Sequence, residues 1–418
     1  ARALWCLPLP PGGGPMRARG RAQPRAAEPQ ELDAAVTFED GFVLVGAPLE
    51  LVAPETEEPA VTVGEAAKGE PLAADGPVGP ASLDDLKKGV GLDGDSGASP
   101  LQLPTWLDME RCNRVKLFFA EHAASITFAW HAGLVIGFSI PDLLNPLVFT
   151  HQSSTPKKAL LRYSNTWRHL AMWHTGNIWD PASKAHASVQ AVRGMHRTVR
   201  DNMKAQTPPK AGTTWISMYD MGVVQSGFMG AAITVPTKFG LHASAKALED
   251  YVYFWKCVGY LLGIDDKFNI CSLGRPTAEQ LVNEIESEVL LPDIQHPVPE
   301  YSPMAEAYIS ALNLLFLGLP VLSVKSTNAL TFWALGRPRG PLSPADTCRY
   351  YLLRLICLLL GWLPVYRRSL NWALLRTLAA EDPVFPESAG RCPFSGRGAA
   401  CATGPATAVC PGAAAACG

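Results

Sequence analysis

The chain has 418 residues and a formal net charge of −2; 48% of its residues are hydrophobic and 18% are charged. This composition allows one large or two ordinary domains with a substantial core, and it excludes the strong positive charge with which many proteins bind nucleic acid. None of the ten cysteines has C-x-x-C spacing, which argues against a structural zinc site. We therefore expect a globular protein with no nucleic-acid partner.

The first hundred residues are dominated by Ala, Pro, Gly, Glu and Asp. We predict that segment 1–100 is a low-complexity and mostly disordered extension, because it has too few large apolar residues to offset the entropy of ordering. Its one structured hint is a β-like run at 37–46. Residues 1–27 hold five arginines and no acid, which suits either an organelle transit peptide or a disordered extension. The compartment of the protein therefore stays open.

Segment 101–380 has the apolar periodicity of helices, and almost none of it alternates with period two. It predicts an all-α domain of about eight to ten helices, followed by a disordered tail rich in Cys, Ala and Gly at 381–418. The prolines of 139–149 predict a break or a turn there, and Thr213 or Thr214 is the expected N-cap of the fourth helix. The expected helices lie within 103–138, 156–179, 181–206, 213–235, 244–264, 277–290, 304–319 and 347–363.

Two apolar stretches, 308–324 and 350–366, approach the length of about 20 residues that spans a bilayer. Asn313 and Pro320 interrupt the first, and Arg354 interrupts the second. Buried core helices or interfacial segments therefore explain them better than spans. The second could lie on a membrane surface with its arginine side chains reaching the headgroups, which would give peripheral membrane contact through C-terminal helices.

The stretch VRGMHRTVR places Arg193, His196 and Arg200 at i, i+3 and i+7, on one face of a helix. Two flanking cations disfavour protonation of the imidazole, and a neutral imidazole is the form that binds a metal. The two guanidiniums suit pairing with carboxylates. Taken alone, the same stretch is better explained as a solvated basic helix, with Arg197 as a further charge.

A second polar face lies about thirty residues upstream, in RYSNTW. Arg162 and Thr166 share one side of a helix, Asn165 is adjacent, and His169 continues the stripe. Such a face is costly to bury without partners, so it either points to solvent or lines a polar pocket.

Together, R-x-x-x-T followed by R-x-x-H-x-x-x-R resembles the rubber oxygenase family, which includes the bacterial latex-clearing proteins and a fungal membrane-bound oxygenase that cleaves a prenyl chain. LPTWLD, ISMYDMGVVQSGF and FWKCVGYLLGIDDKFN agree in order, and the resemblance covers about 103–378. It implies a globin-like helical core with haem b. His196 would ligate iron, with Arg193 and Arg200 as its flanking arginines. Arg162 and Thr166 would polarise the distal side, where dioxygen reacts.

The implied reaction is oxidative cleavage of a carbon–carbon double bond in an isoprenoid or lipid-like substrate, with the apolar helices around 116–137 and 213–235 lining a substrate channel. Two departures bear on it. Asn165 stands where latex-clearing proteins have a lysine, and the stretch at the family's glutamate holds no acid, Asp142 being the nearest. The alternative is therefore a non-catalytic haem sensor or carrier, or a membrane-peripheral helical interaction protein. His169 is the rival iron ligand.

Overall fold

The computed structural model describes residues 78–380 and a short antiparallel strand pair, Val36–Thr37 with Val43–Leu44. The pair coincides with the β-like run expected near 37–46. The transit-peptide or extension hypothesis for 1–27 and the predicted tail at 381–418 lie outside the described residues.

The described chain is helical, and the all-α prediction is confirmed. A 3-10 turn at Pro236–Phe239 and a π-helical turn at Glu286–Leu290 interrupt the α-helices. The α-helices are α1 Leu83–Lys87, α2 Met109–Gly137, α3 Pro141–Phe149, α4 Pro156–Thr175, α5 Lys184–Gln206, α6 Met218–Thr234, α7 Ala245–Leu261, α8 Arg275–Ile285, α9 Leu291–Gln295, α10 Tyr301–Leu314, α11 Val324–Ala334, α12 Pro344–Trp362 and α13 Pro364–Ala379.

Helix α2 is the central element of the fold. Asp108 caps its N-terminus by accepting hydrogen bonds from the N–H groups of Glu110 and Arg111. The helix contributes to both hydrophobic clusters of the core and packs against α4, α6, α7, α11 and α13. It crosses α6 closely: a Cβ on Gly133 would lie 2.8 Å from the carbonyl oxygen of Gly227. A helix surrounded in this way must be apolar on most of its circumference, as α2 is.

Two helix assignments from the sequence were wrong. Residues 141–149 form α3 instead of a break, because Pro141 occupies the first helical turn, where a missing N–H costs little. Helix α6 begins at Met218, and its N-cap is Ser217, not Thr213 or Thr214. Ser217 and Asp220 form a reciprocal capping box that satisfies two backbone N–H groups.

Residues 78–100, which we had placed in the disordered extension, are folded against the helices. Leu83 and Leu86 of α1 are fully buried in the main core cluster. Further along, Leu92 accepts a hydrogen bond from the N–H of Met218, and the N–H of Gly94 donates to the carbonyl of Ile216. The folded part of the chain therefore begins at least 20 residues before the predicted boundary. It includes a segment that runs along the N-terminal end of α6.

Within residues 78–380, no single helix combines the length and the hydropathy needed to cross a bilayer. Two bent pairs pass on length and composition together: α2 with α3, bent by 92°, and α12 with α13, bent by 105°. Most residues of α2 are buried in the protein, as expected for a core helix.

Candidate functional site

The two polar motifs lie on α4 and α5, which pack against each other as an antiparallel pair. Thr155 and Ser183 cap the two helices. Midway along the pair, Ser188 of α5 lies 2.7 Å from Nδ1 of His169 and accepts a 2.8 Å hydrogen bond from Nε1 of Trp173. Because the helices run in opposite directions, the residue two turns before His169 faces the residue two turns after Ser188. This register brings Arg162 opposite His196.

The Arg162 guanidinium is half-buried beside neutral partners. It donates to the hydroxyl of Thr150 at 2.9 Å and to that of Ser153 at 3.4 Å, both in the turn between α3 and α4. No carboxylate of the described residues lies within ion-pair distance of it. Burial lowers the pKa of Arg162, although the group stays cationic at neutral pH. A half-buried cation without a protein anion loses part of its hydration, so this position suits an anionic group that binds from outside the chain.

His196 is half-buried, and its Nδ1 is buried without a hydrogen-bond partner in the described chain. Desolvation, and then the charges of Arg200 and Arg162, lower the pKa of His196 to about 4. Because the charge of Arg162 contributes to this shift, the two motifs lie within electrostatic range of each other across the α4–α5 contact. The imidazole is therefore neutral at physiological pH, the form in which a histidine can donate a lone pair to a metal.

Asn165 and Thr166 lie on α4, one turn after Arg162. The hydroxyl of Thr166 donates to the carbonyl of Arg162 at 3.1 Å, and the Asn165 amide lies 3.3 Å from Nε2 of His169. Since Ser188 contacts Nδ1 of His169, both ring nitrogens of this buried histidine have neighbours. His169 is thus held as a buried structural histidine, and its geometry favours the ligand role of His196 over its own.

Arg193 and Arg200 have partners inside the chain. Arg193 donates from Nη2 to Oδ1 of Asp95 at 2.5 Å and to the carbonyl of Ala98 at 2.9 Å. Arg200 donates to the carbonyl of Ile216 at 3.3 Å, and its Nε lies 3.9 Å from Asp93. Both arginines are buried. Through these contacts they hold residues 93–98, which we call the strap, against α5. A role in the haem environment stays a prediction for these two residues.

Burial raises the pKa of Asp95, but hydrogen bonds from Arg193, the Gly97 N–H and Arg197 outweigh it and hold that pKa well below its usual range. Asp95 is therefore a buried anion that fixes the helix of His196. Sequence reasoning missed Asp93 and Asp95, because the polar run GLDGDSGAS carries no helical or apolar signal. It also missed Thr150 and Ser153, which only the α3–α4 turn brings to Arg162.

Other residues noted in the sequence have structural roles. Asp220 caps α6, and burial raises its pKa to about 7 against the opposing hydrogen bonds from Ser217. Gln225 donates to the carbonyl of Trp255 at 2.8 Å. Trp106 of LPTWLD donates to Asp266 of GIDDKFN at 3.1 Å, so these two distant motifs meet in space. Within residues 78–380, no group of three or more His, Cys, Asp or Glu side chains is arranged to hold a metal ion.

Comparison with known proteins places the chain in a family. The family model described as "ER-bound oxygenase mpaB/B'/Rubber oxygenase, catalytic domain" matches residues 119–381, from the middle of α2 to the end of α13. No curated protein matches. The solved structure of latex clearing protein in the closed state is similar at 15% identity and a TM-score of 0.44, over 70% of this chain and 79% of that chain; a similarity this low carries no residue-level inference. The match to the family model spans more than half of the sequence, and the chain therefore belongs to the family of mpaB-type and rubber oxygenase catalytic domains.

Proposed function

We propose that the chain is a haem b-dependent oxygenase that acts with dioxygen on a hydrophobic substrate of the isoprenoid or lipid class, by oxidative cleavage of a carbon–carbon double bond. The family is one of oxygenases. The observation that carries the proposal is the presence, on the packed helices α4 and α5, of a half-buried cation at Arg162 within electrostatic range of a neutral imidazole at His196.

These residues suit haem in two respects. A haem takes four iron ligands from its own ring, so a single axial side chain is sufficient and no cluster of protein ligands is required. The unpartnered Nδ1 of His196 shows that this ring has spare hydrogen-bonding capacity in a buried setting. Arg162 provides the positive charge that a propionate, or negative charge developing on the substrate side, would need.

The bound haem would supply the oxygen chemistry, and the protein would supply ligation, polarity and access. His196 would hold the iron. Arg162 would keep a fixed positive charge next to it, because its hydroxyl partners cannot neutralise that charge. Thr166 adds a hydroxyl one turn along α4, and Asn165 adds an amide whose position is tied to His169. Neither Asn165 nor Thr166 carries a charge, so Arg162 is the electrostatic centre of this side.

The first test is cofactor binding. The full chain, supplied with haem during expression, is expected to show a Soret band that His196→Ala abolishes. His296→Ala is the matched control, because His296 is exposed at the end of α9 and far in sequence from the site. No Soret band in the wild type, or an unchanged band in His196→Ala, contradicts the proposal.

The second test is chemistry. The reduced, haem-loaded protein is incubated with dioxygen and squalene, and aldehyde or ketone products are sought by mass spectrometry. Arg162→Met is expected to keep haem but to lower turnover by about 10²-fold, the typical cost of removing one preorganised electrostatic group. A protein that binds haem and yields no product from squalene or longer polyisoprenoids would instead be the non-catalytic haem carrier that the loss of the lysine and glutamate suggests.

A further inference from the structure

Helix α12 is apolar on two opposite faces. Its buried face consists of Tyr350, Leu353, Cys357 and Leu360, which pack into the second core cluster or against the 3-10 turn. Tyr351, Leu355, Leu358 and Trp362 follow at i, i+4, i+7 and i+11, which is one continuous stripe of a helix. These four side chains are 52%, 48%, 54% and 74% exposed. An outward apolar stripe of this length is unusual for a helix whose other face already belongs to the core.

The exposed stripe continues at both ends of the helix. At the N-terminal end, Arg349 donates to the carbonyl of Pro320 at 2.8 Å, which brings the loop 315–319 alongside. Within that loop Leu317 is 94% exposed. At the C-terminal end, Leu363 and Val365 are exposed at the 105° bend into α13. We call the loop 315–319, the stripe and these two residues the α12 surface.

The exposed large hydrophobic side chains of the described residues are concentrated in and next to the α12 surface. Thirteen of them lie between Leu314 and Trp372, and the other eight are scattered over the rest of residues 78–380. Contiguous apolar patches rimmed by polar residues mark sites of interaction with a partner or a membrane.

The segment that contains this surface is rich in cationic side chains, although Arg337 pairs with Glu286 and Arg367 pairs with Glu121. From Ala307 to Ala380 the sequence holds eight lysines and arginines and a single acid, Asp346, although the whole chain has a net charge of −2. Asp346 is itself engaged by Arg349 and two serines. Several arginines lie over aromatic rings at the rim: Arg339 near Tyr351, Arg354 over Trp333 and Arg376 over Trp372.

We propose that the α12 surface docks the protein onto a bilayer that contains anionic lipids, with α12 lying in the plane of the membrane. Apolar side chains would enter the acyl boundary, and the arginines and aromatic rings would sit at headgroup level. The bend into α13 and the buried face of α12 are incompatible with a straight span. The proposal is independent of haem chemistry.

Two other occupants of the α12 surface, a second copy of the chain and the C-terminal segment 381–418, fit it less well than an anionic lipid bilayer. A second copy of the chain would bring one positive face against another in a two-fold dimer, which is electrostatically unfavourable. The C-terminal segment 381–418 has only four large apolar residues, Val384, Phe385, Phe394 and Val409, with which to cover a surface of ten. An anionic bilayer complements both properties of the surface. Its headgroups pair with the arginines, and its acyl region accommodates the apolar side chains.

The experiment is flotation of the full chain with two kinds of vesicle, one of phosphatidylcholine alone and one with equal parts of phosphatidylcholine and phosphatidylserine. We expect flotation with the anionic vesicles that weakens as salt rises. Leu358→Ser/Trp362→Ser should lower binding by about tenfold or more, the effect of exposing two large apolar side chains to water. Arg368→Gln and Arg376→Gln should each lower it about fivefold, which corresponds to about 1 kcal/mol per charge at an anionic surface.

Leu101→Ser/Leu103→Ser is the matched control, since both leucines are exposed but lie outside the α12 surface; it should float like the wild type. Lipids with brominated acyl chains should quench tryptophan fluorescence, and Trp362→Phe should remove part of that quenching. The proposal is overturned if the wild type does not float, if it binds both vesicles equally, or if Leu358→Ser/Trp362→Ser binds normally. It is also overturned if the wild type is a dimer that this variant converts to a monomer, with no vesicle binding in either.

Discussion

The carboxylate of Asp95 is buried between two guanidiniums, and it joins the strap before α2 to the helix that carries His196. Its side chain is 5% exposed, and that of Arg193 is 7% exposed. A buried ion pair adds little net stability compared with an apolar pair, but removal of one partner strands the other in a low-dielectric site. The importance of Asp95 therefore lies in what its loss would leave behind.

We predict that Asp95→Ala lowers the free energy of unfolding by about 3–5 kcal/mol, the usual cost of leaving one buried charge unpaired. Urea denaturation measures the change. Asp84→Ala is the control, since that carboxylate is 88% exposed in an i, i+3 pair and should contribute less than about 1 kcal/mol. Equal effects of the two substitutions would show that the Asp95 pair is not a buried charge pair in solution.

Gly263 is packed against the same ion pair. Its φ is +96°, and a Cβ there would lie 2.8 Å from Oδ1 of Asp95 and 2.9 Å from Nε of Arg193. Gly263→Ala should therefore destabilise the protein by about 1–3 kcal/mol through backbone strain. Gly194, inside α5, has open space around its Cβ position, so Gly194→Ala should stabilise the protein by up to about 1 kcal/mol. Thermal denaturation of the two variants should give shifts of opposite sign, and shifts of the same sign would refute this account.

At the scale of the helices, one serine fixes how α4 pairs with α5. Ser188 contacts Nδ1 of His169 and Nε1 of Trp173, and these two buried groups set the register that brings Arg162 to His196. Ser188→Ala would leave Nδ1 of His169 and Nε1 of Trp173 without the serine hydroxyl. Each buried polar group left unsatisfied costs about 1–3 kcal/mol.

We therefore predict a loss of about 2–4 kcal/mol in Ser188→Ala, together with a His196 pKa that moves toward 6.5 as the α4–α5 contact loosens. Denaturation gives the first quantity, and histidine NMR titration gives the second. Ser369→Ala, at an exposed position of α13, should change neither. A stability loss without any movement of the His196 pKa would mean that Ser188 supports the core but not the site.

The sequence could predict several helices with continuous apolar periodicity, but it did not predict α3, α11 or α13. Helices α4, α5, α7, α10 and α12 appear close to their expected ranges, because burial of one face dictates the spacing of apolar residues. Helix α3 was missed because its two prolines outweigh its apolar residues in any local argument. Its formation depends on packing against α5 and α6, which is a tertiary effect.

The candidate site, like the helices, could be predicted from the sequence only in part. Arg162 and His196 could be selected as candidates because an arginine and a histidine on amphipathic helices need partners. Their proximity depends on the register of α4 with α5, and no local pattern encodes that register. The carboxylates that hold Arg193 and Arg200 come from a polar strap about a hundred residues away in sequence, so the sequence could not show that these arginines already have anions.

For the whole molecule, buried neutral histidines determine the response to acid. Burial lowers the pKa of His122, His131 and His169 to about 4 and that of His174 to about 3, and His196 has a pKa of about 4. In the unfolded chain each would titrate near 6.5. Between pH 6.5 and 4 the unfolded state therefore binds more protons than the folded state, and stability falls as pH falls. Four carboxyl groups act in the opposite direction, because burial raises the pKa of Asp220 to about 7 and also raises the pKa values of Asp266, Glu286 and Asp293. They offset part of the effect of the five histidines.

We predict that the free energy of unfolding changes little from pH 8 to 7 and then decreases below pH 6.5, by up to about 1.4 kcal/mol per pH unit for each histidine that stays neutral. Urea denaturation at pH 7.5, 6.5 and 5.5 separates this effect from the protonation of carboxylates with ordinary pKa values, which begins at lower pH. In His131→Gln the slope of the free energy of unfolding against pH should decrease by the contribution of one histidine, because glutamine does not titrate. The glutamine can still contact the Tyr308 hydroxyl, which lies 3.1 Å from His131 Nδ1. A stability that is constant down to pH 5.5, or an unchanged slope in His131→Gln, would mean that these rings are protonated or solvated in the folded protein, and a protonated His196 could not ligate iron.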